Sequence, residues 1–144
     1  MDAPRKLEVD IADVCIALSG EGGELEWYLD LHTGETLLVN AEYSPEEHGG
    51  LTERQIQTDS LRFKRIPTPE EGELVKDMEA YAGGTKDERL RQSLELALSA
   101  PHPERRFRAV LGWIPDEQQH WRSFRQERLE QRAKSWLSTL GLSV

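Results

Sequence analysis

The sequence predicts an α+β domain in which a small three-stranded antiparallel meander packs against about five helices, the last of them long. Two observations carry this prediction. Apolar residues alternate with period two in parts of the stretch 25–66, as in half-buried strands, and recur at helical spacing on either side of it. A chain of 144 residues has the usual length of one domain, so 1–144 is expected to form a single domain with a flexible N-terminus over 1–6.

The first helix is predicted over residues 7–18. Five apolar residues there recur at helical spacing: Leu7, Ile11, Val14, Cys15 and Leu18. Ser19 and Gly20 then end the helix. Cys15 has no basic residue beside it, which favours a buried core thiol over a reactive one. Because Cys15 is the single cysteine, an intramolecular disulfide and a cysteine-based metal site are excluded.

A β-hairpin is predicted next. Four apolar side chains share one face of its first strand: Leu25, Trp27, Leu29 and Leu31. The turn at 32–35 contains Gly34 and leads into a second strand at 36–39. Residues 61–66 alternate again and are predicted to form the third strand. The polar segment 40–60, which contains a proline and two glycines, is predicted to be a mobile loop.

Four helices are predicted after residue 67. The first two begin at capping boxes, residues 68–71 with Pro69 at the first helical position, and residues 85–88. A short helix that carries Phe107 follows, and the last helix runs from Pro115 to about residue 140. The apolar stripes of the first two are Leu74, Val75, Met78 and Tyr81, then Leu90, Leu94, Ala97 and Leu98. The inner face of the last helix is Trp121, Phe124, Leu129, Ala133, Trp136, Leu137 and Leu140.

The net charge of −9 is unevenly distributed. Residues 1–100 hold 10 Lys/Arg against 22 Asp/Glu, a net charge of −12, whereas residues 101–144 have a net charge of +3. An acidic surface argues against binding to nucleic acid, which requires a dense basic face. The sequence contains no membrane-length apolar stretch and no apolar signal core after the N-terminal residues, so a cytoplasmic protein without membrane contact is expected.

A set of short motifs resembles, in its order and spacing, the bacterial uncharacterised protein family 0158. The motifs are Tyr28-Leu29-Asp30 with Thr33-Gly34-Glu35, Ile66-Pro67, Met78 with Tyr81, Arg105-Arg106-Phe107-Arg108, Trp121 with Phe124, and Trp136-Leu137. They extend over roughly residues 7–140. The resemblance implies a bacterial origin and a single α+β domain, and it implies no activity.

Asp30 is the most informative polar residue, because aspartate is disfavoured in strands and Asp30 lies in the predicted first strand on the face opposite Trp27 and Leu29. It is interpreted either as a turn-stabilising aspartate on an exposed face or as one side of an ion pair or ligand contact, with Arg105 or Arg106 as the partner. Neither a catalytic residue set nor a metal site or cofactor is predicted, since no nucleophile and base have recognisable spacing and none of the four histidines has an i, i+4 partner. His120 is expected to be a surface histidine.

The basic run Arg105-Arg106-Phe107-Arg108 has two interpretations. Phe107 shares a stripe with Val110 and Leu111, which favours a core aromatic flanked by arginines that pair with acidic residues. A basic run beside an aromatic residue is also found in phosphate and nucleic-acid sites. The four tryptophans, Trp27, Trp113, Trp121 and Trp136, are expected in the core.

The sequence therefore favours a non-catalytic interaction or regulatory module, with another protein as its partner. It does not predict the oligomeric state. The alternative is a small-molecule or nucleotide-binding protein, with catalysis left open, whose pocket lies near Tyr28, Asp30, Arg105 and Arg106. A concave pocket that brings these four residues together favours the alternative. Their dispersal over a convex surface favours the interaction module.

Overall fold

The computed structural model describes residues 5–20, 25–70 and 72–143. The chain divides into two compact units, which we call the sheet unit (Met1–Thr68 with Leu129–Val144) and the helical unit (Pro69–Arg128). The predicted α+β class is confirmed, with a three-stranded antiparallel sheet, six α-helices among the described residues and a long last helix.

The elements of the sheet unit are β1 (Arg5–Lys6), α1 (Ile11–Ser19), β2 (Glu26–Asp30), β3 (Thr36–Val39), a 3₁₀ helix (Pro45–His48), α2 (Glu53–Thr58), β4 (Phe63–Arg65) and β5 (Leu142–Ser143). The helical unit contains α3 (Glu73–Gly83), α4 (Glu88–Ser99) and α5 (Pro103–Leu111). The last helix, α6 (Pro115–Thr139), begins in the helical unit and ends in the sheet unit. Its end agrees with the prediction to within one residue. Every helix in the described part of the chain is too short or too polar to cross a membrane.

Helix α1 begins four residues later than the prediction. The side chain of Asp10 accepts a hydrogen bond from the Ala12 amide at 2.9 Å and thereby caps the helix, so Leu7 precedes it. Apolar spacing alone does not show where the cap lies, which explains the early start. Gly20 ends the helix in the left-handed conformation, and Cys15 is buried as predicted.

The predicted hairpin is confirmed as β2 and β3, but the sheet is not a meander. Strand order is β3-β2-β4, so the third predicted strand pairs with β2, which is therefore central. The hairpin turn contains Gly34 at φ +80°, where a side chain would also overlap the carbonyl oxygen of Glu8. Only glycine fits this position without displacing the backbone.

Both faces of the sheet are covered. Leu29 lies in a buried cluster with residues of α1, the end of α6, β5 and the residue that follows β4: Val14, Cys15, Ala17, Leu18, Leu129, Ala133, Leu137, Leu142 and Ile66. Tyr28 lies on the other face, in a cluster with Leu37, Val39, Ile56 and Phe63. Ile56 belongs to α2, which therefore covers the face that carries Tyr28 and Asp30.

Segment 40–60, predicted as a mobile loop, contains the 3₁₀ helix and α2. Thr52 and Gln55 form a capping box at the start of α2 that the sequence analysis did not recognise. The mobility of this segment stays a prediction. Of the predicted flexible N-terminus, Arg5 and Lys6 pair in parallel with Leu142 and Ser143, and residues 1–4 lie outside the described part.

In the helical unit, α3 begins at Glu73 with Gly72 in the N-cap position, so the predicted start at the 68–71 capping box is wrong. Helix α4 begins after Asp87, whose side chain accepts hydrogen bonds from the amides of Arg89 and Leu90. One buried cluster joins the helices: Met78, Ala82, Leu90, Leu94, Phe107, Leu111 and Trp121. These residues were all predicted as apolar stripe positions except Ala82.

Candidate functional site

Asp30 is buried and paired within the sheet unit. The guanidinium of Arg62 donates from Nε to Oδ1 at 3.0 Å and from Nη2 to Oδ2 at 2.9 Å, and the His32 amide donates to Oδ1 at 2.9 Å. Asp30 is 2% exposed, so the expectation of an exposed face is wrong, whereas the turn-stabilising role is confirmed. The ion pair assigned to Arg105 or Arg106 is made by Arg62. The reason is that Arg62 directly precedes β4, the strand that pairs with β2.

Burial by itself would raise the pKa of Asp30. The hydrogen bonds from Arg62 and from the His32 amide, together with the positive charge of Arg62, outweigh it and hold the pKa of Asp30 below its usual value. Asp30 is therefore ionised near neutral pH and neutralises Arg62. Tyr28, two residues earlier on the same face, donates its hydroxyl hydrogen to Glu26 Oε1 at 2.9 Å. Burial and then this carboxylate raise the pKa of Tyr28.

A polar depression of about 390 Å³ lies beside this ion pair in the sheet unit. It is lined by Asp30, Thr33, Glu35, Leu37, Glu47, His48, Gly49, Gly50, Leu51, Gln55 and Arg62. His48 stacks on the ring of Tyr43 with 5.0 Å between centroids, and its Nδ1 lies 3.6 Å from Glu35 Oε1. The described part of the chain contains no group of three or more His, Cys, Asp or Glu side chains that could hold a metal ion.

Arg105 and Arg106 lie on α5 in the helical unit, whereas Tyr28 and Asp30 lie on β2 in the sheet unit. Within the helical unit, Arg105 and Arg106 line two different depressions. Arg106 Nε donates to the carbonyl oxygen of Pro101 at 2.8 Å. The core position of the neighbouring Phe107 is confirmed. A binding role for the four residues stays a prediction.

The helical unit contains an apolar groove of about 600 Å³ between α4 and α5, which we call the α4–α5 groove. It is lined by Ser93, Leu96, Ala97, Ala100, Arg106, Ala109, Val110 and Trp113. Two of its large apolar side chains face solvent, since Leu96 is 74% and Trp113 is 87% exposed. Such exposure is unusual for tryptophan, a residue that frequently contributes most to the binding energy of an interface.

The core position predicted for Trp113 is therefore wrong, whereas that of Trp121 is confirmed. Trp113 lies in the short link between α5 and α6 and belongs to the apolar stripe of neither helix. This position in a link is a sequence signal that could have identified it as a surface residue. The two other tryptophans, Trp27 and Trp136, are partly buried against the core of the sheet unit.

The helical unit also contains a buried charge cluster that was not predicted from the sequence. Asp77 of α3 is 0% exposed and pairs with Arg125 and Arg128 of α6, with 2.6 Å between Arg128 Nε and Asp77 Oδ1. The guanidinium of Arg128 also lies over the ring of Phe124, 5.6 Å from its centroid. The i, i+3 spacing of the arginines is a signal, but nothing in the sequence links it to position 77.

A second polar contact joins α3 to α6. The hydroxyl of Tyr81 donates to Glu117 Oε2 at 2.5 Å, and the other oxygen of Glu117 lies 3.6 Å from Nδ1 of His120. Burial and then Glu117 raise the pKa of Tyr81. A tyrosine with a raised pKa remains a hydrogen-bond donor at neutral pH, so it is unsuited to act as a general base. His120 is exposed, which confirms the expected surface histidine.

Comparison with known proteins places this chain in a family. The family model described as Uncharacterised protein family (UPF0158) matches residues 5–143. The UPF0158 protein PA5073 of Pseudomonas aeruginosa is 28% identical over 133 residues, which cover 92% of this chain and 83% of that protein. No solved structure matches the chain. The resemblance inferred from the motifs is confirmed, and the protein belongs to the uncharacterised protein family UPF0158.

Proposed function

We propose that this protein is a non-catalytic interaction module that binds another protein through the α4–α5 groove. The observation that carries the proposal is the pair of exposed apolar side chains, Leu96 and Trp113, at a groove that is otherwise lined by three alanines, one valine, one serine and one arginine. Apolar surface of this kind, gathered in one concave site, is typical of protein interfaces.

The polar residues of the two units support this choice over a reaction centre. Asp30 is hydrogen-bonded to Arg62, and Tyr81 is hydrogen-bonded to Glu117, so these ionisable groups are engaged in contacts that stabilise the fold. The described residues that line the groove include no carboxylate, histidine, cysteine or lysine. It therefore offers apolar contact area and one fixed positive charge, which suit binding rather than acid–base chemistry.

A photo-crosslinking amino acid at position 113 tests the proposal in cells of the source organism. Leu61 provides a matched control, because it is 86% exposed, close to the 87% of Trp113, and lies in the sheet unit. We expect discrete covalent adducts from position 113 that are absent from position 61. The adducts should disappear when Leu96→Asp is added, since an aspartate at the groove opposes apolar docking.

Leu96 is exposed, so Leu96→Asp should leave the fold intact, and circular dichroism of the purified variant checks this. Adduct yields from position 113 no higher than those from position 61 would contradict the proposal. Adducts that persist unchanged with Leu96→Asp would also contradict it, because they would place the contact outside the groove.

A further inference from the structure

The α4–α5 groove carries a positive charge, although the net charge of the protein is negative. Among the described residues that line it, Arg106 alone is charged, and the hydrogen bond from its Nε to the Pro101 carbonyl holds the guanidinium at the groove. The remaining lining residues are aliphatic or small, apart from Trp113. A partner that fills this groove with apolar side chains alone would leave the guanidinium without a counter-charge, which is unfavourable when water is excluded.

The positive charge continues along α5. A second depression of about 490 Å³ on the same helix is lined by Arg105 and Arg108, together with His102, Pro103 and Glu104. Helix α5 thus carries three arginines and one glutamate, a net charge of +2, in a protein whose net charge is −9. The groove therefore adjoins a basic helix.

We infer that the occupant of the α4–α5 groove is an amphipathic helix of a partner protein, with an apolar stripe flanked by carboxylates. The inference rests on the proposed function and specifies its partner. Ala97, Ala100 and Ala109 line the groove with small side chains and leave space for larger ones from outside. Grooves between two helices accept the apolar face of a third helix, anchored at positions i, i+3, i+4 and i+7.

Charge complementarity favours this occupant over a second copy of the chain. In a symmetric dimer the same patch contacts itself, which would bring Arg106 and its equivalent, on helices of net charge +2, towards one another. An anionic membrane or nucleic acid would also meet arginines, but the net charge of −9 repels both over a distance of about 8 Å at physiological salt. A single helix of a partner protein, in contrast, can place its carboxylates next to α5 without bringing further negative charge close to the rest of the protein.

Designed peptides test the inference. We would measure, by fluorescence anisotropy, the binding of two labelled helical peptides of about 18 residues, long enough for roughly five turns. Both carry leucines at i, i+3, i+4 and i+7, and the flanking positions are glutamate in one and lysine in the other. We expect the glutamate peptide to bind the protein at least about tenfold more tightly than the lysine peptide, as expected for one well-placed charge pair.

Charge reversal provides the control. Arg106→Glu should weaken the glutamate peptide by about tenfold or more and strengthen the lysine peptide, whereas Arg89→Glu should change neither. Arg89 is an exposed arginine of α4 that does not line the groove. Its replacement by glutamate therefore changes the net charge by the same amount as Arg106→Glu but leaves the groove unchanged. Circular dichroism confirms that both variants are folded. Trp113→Ser should weaken both peptides.

Two results would overturn the inference while leaving the proposed function in place. One is equal binding of both peptides, unaffected by Arg106→Glu but lost with Trp113→Ser. The other is no binding of either peptide although adducts still form at position 113 in cells. Self-association that Trp113→Ser abolishes, or binding to anionic vesicles or duplex DNA in place of the glutamate peptide, would also overturn it. Absence of both peptide binding and position-113 adducts would refute the proposed function as well.

Discussion

Asp77 offers the sharpest test of the energetics of the helical unit. Its carboxylate is fully buried and pairs with Arg125, whose side chain is 14% exposed, and with Arg128, whose side chain is 36% exposed. Asp77→Asn removes the negative charge and turns an N–H₂ donor towards one of two donor arginines. Breaking a buried ion pair by removing one partner costs about 3–5 kcal/mol. Because Arg128 can regain water, we expect about 3 kcal/mol.

Urea unfolding followed by circular dichroism measures this change, and hydrogen exchange of the α3 amides locates it in the helical unit. Glu88→Gln is the control, since Glu88 is 73% exposed and lies 3.7 Å from Arg91, and it should cost less than about 0.5 kcal/mol. Asp77→Leu combined with Arg125→Met and Arg128→Met should recover much of the loss. A loss below about 1 kcal/mol for Asp77→Asn would refute the reasoning.

Three further predictions use the same urea assay. Gly34→Ala should lower the free energy of unfolding by more than about 2 kcal/mol, because it combines strain at positive φ with overlap onto the Glu8 carbonyl. Gly50→Ala, at φ +86° with open space around it, should lower it by about 1 kcal/mol. Trp121→Ala should cost about 3–5 kcal/mol and Trp113→Ala less than about 0.5 kcal/mol; equal costs would contradict the assigned burial. The pKa of Asp30 is lowered in the folded protein, so the stabilisation from its ionised form is complete above the unfolded carboxyl pKa and is lost as the pH falls through the folded pKa. Asp30→Asn should therefore flatten the fall in unfolding free energy on the acid side of the unfolded carboxyl pKa, and an unchanged slope would contradict this prediction.

Elements with an unambiguous local period were predictable from the sequence. The hairpin follows from period-two alternation around Gly34, and α4 and α6 follow from apolar spacing with strong boundary residues. Strand order was not predictable, because alternation indicates that residues 61–66 form a strand but not which edge of the sheet it joins. The predicted start of α3 was wrong because two signals for a helix boundary lie close together, proline at position 69 and glycine at position 72.

The candidate site was less accessible to sequence reasoning. The burial of Asp30 depends on Arg62, which lies 32 residues away and reaches it through the pairing of β4 with β2. The exposure of Trp113 depends on where α5 ends and α6 begins, a boundary that shifts a residue from core to surface. The burial of Asp30 thus arises from tertiary placement and the exposure of Trp113 from a local helix boundary, whereas the burial of Phe107 could be inferred from its own helix.

The two units differ in how their cores relate to the order of synthesis on the ribosome. The helical unit is one continuous stretch, Pro69–Arg128, and its buried cluster is complete once Trp121 has been translated. The sheet unit draws Leu129, Ala133, Leu137 and Leu142 into a cluster with Val14 and Leu29, so this core lacks part of its packing until the last of these emerges. During translation the helical unit can therefore complete its core before the sheet unit, although the sheet unit begins first, and the packing of the early strands depends on residues up to Leu142 having been translated.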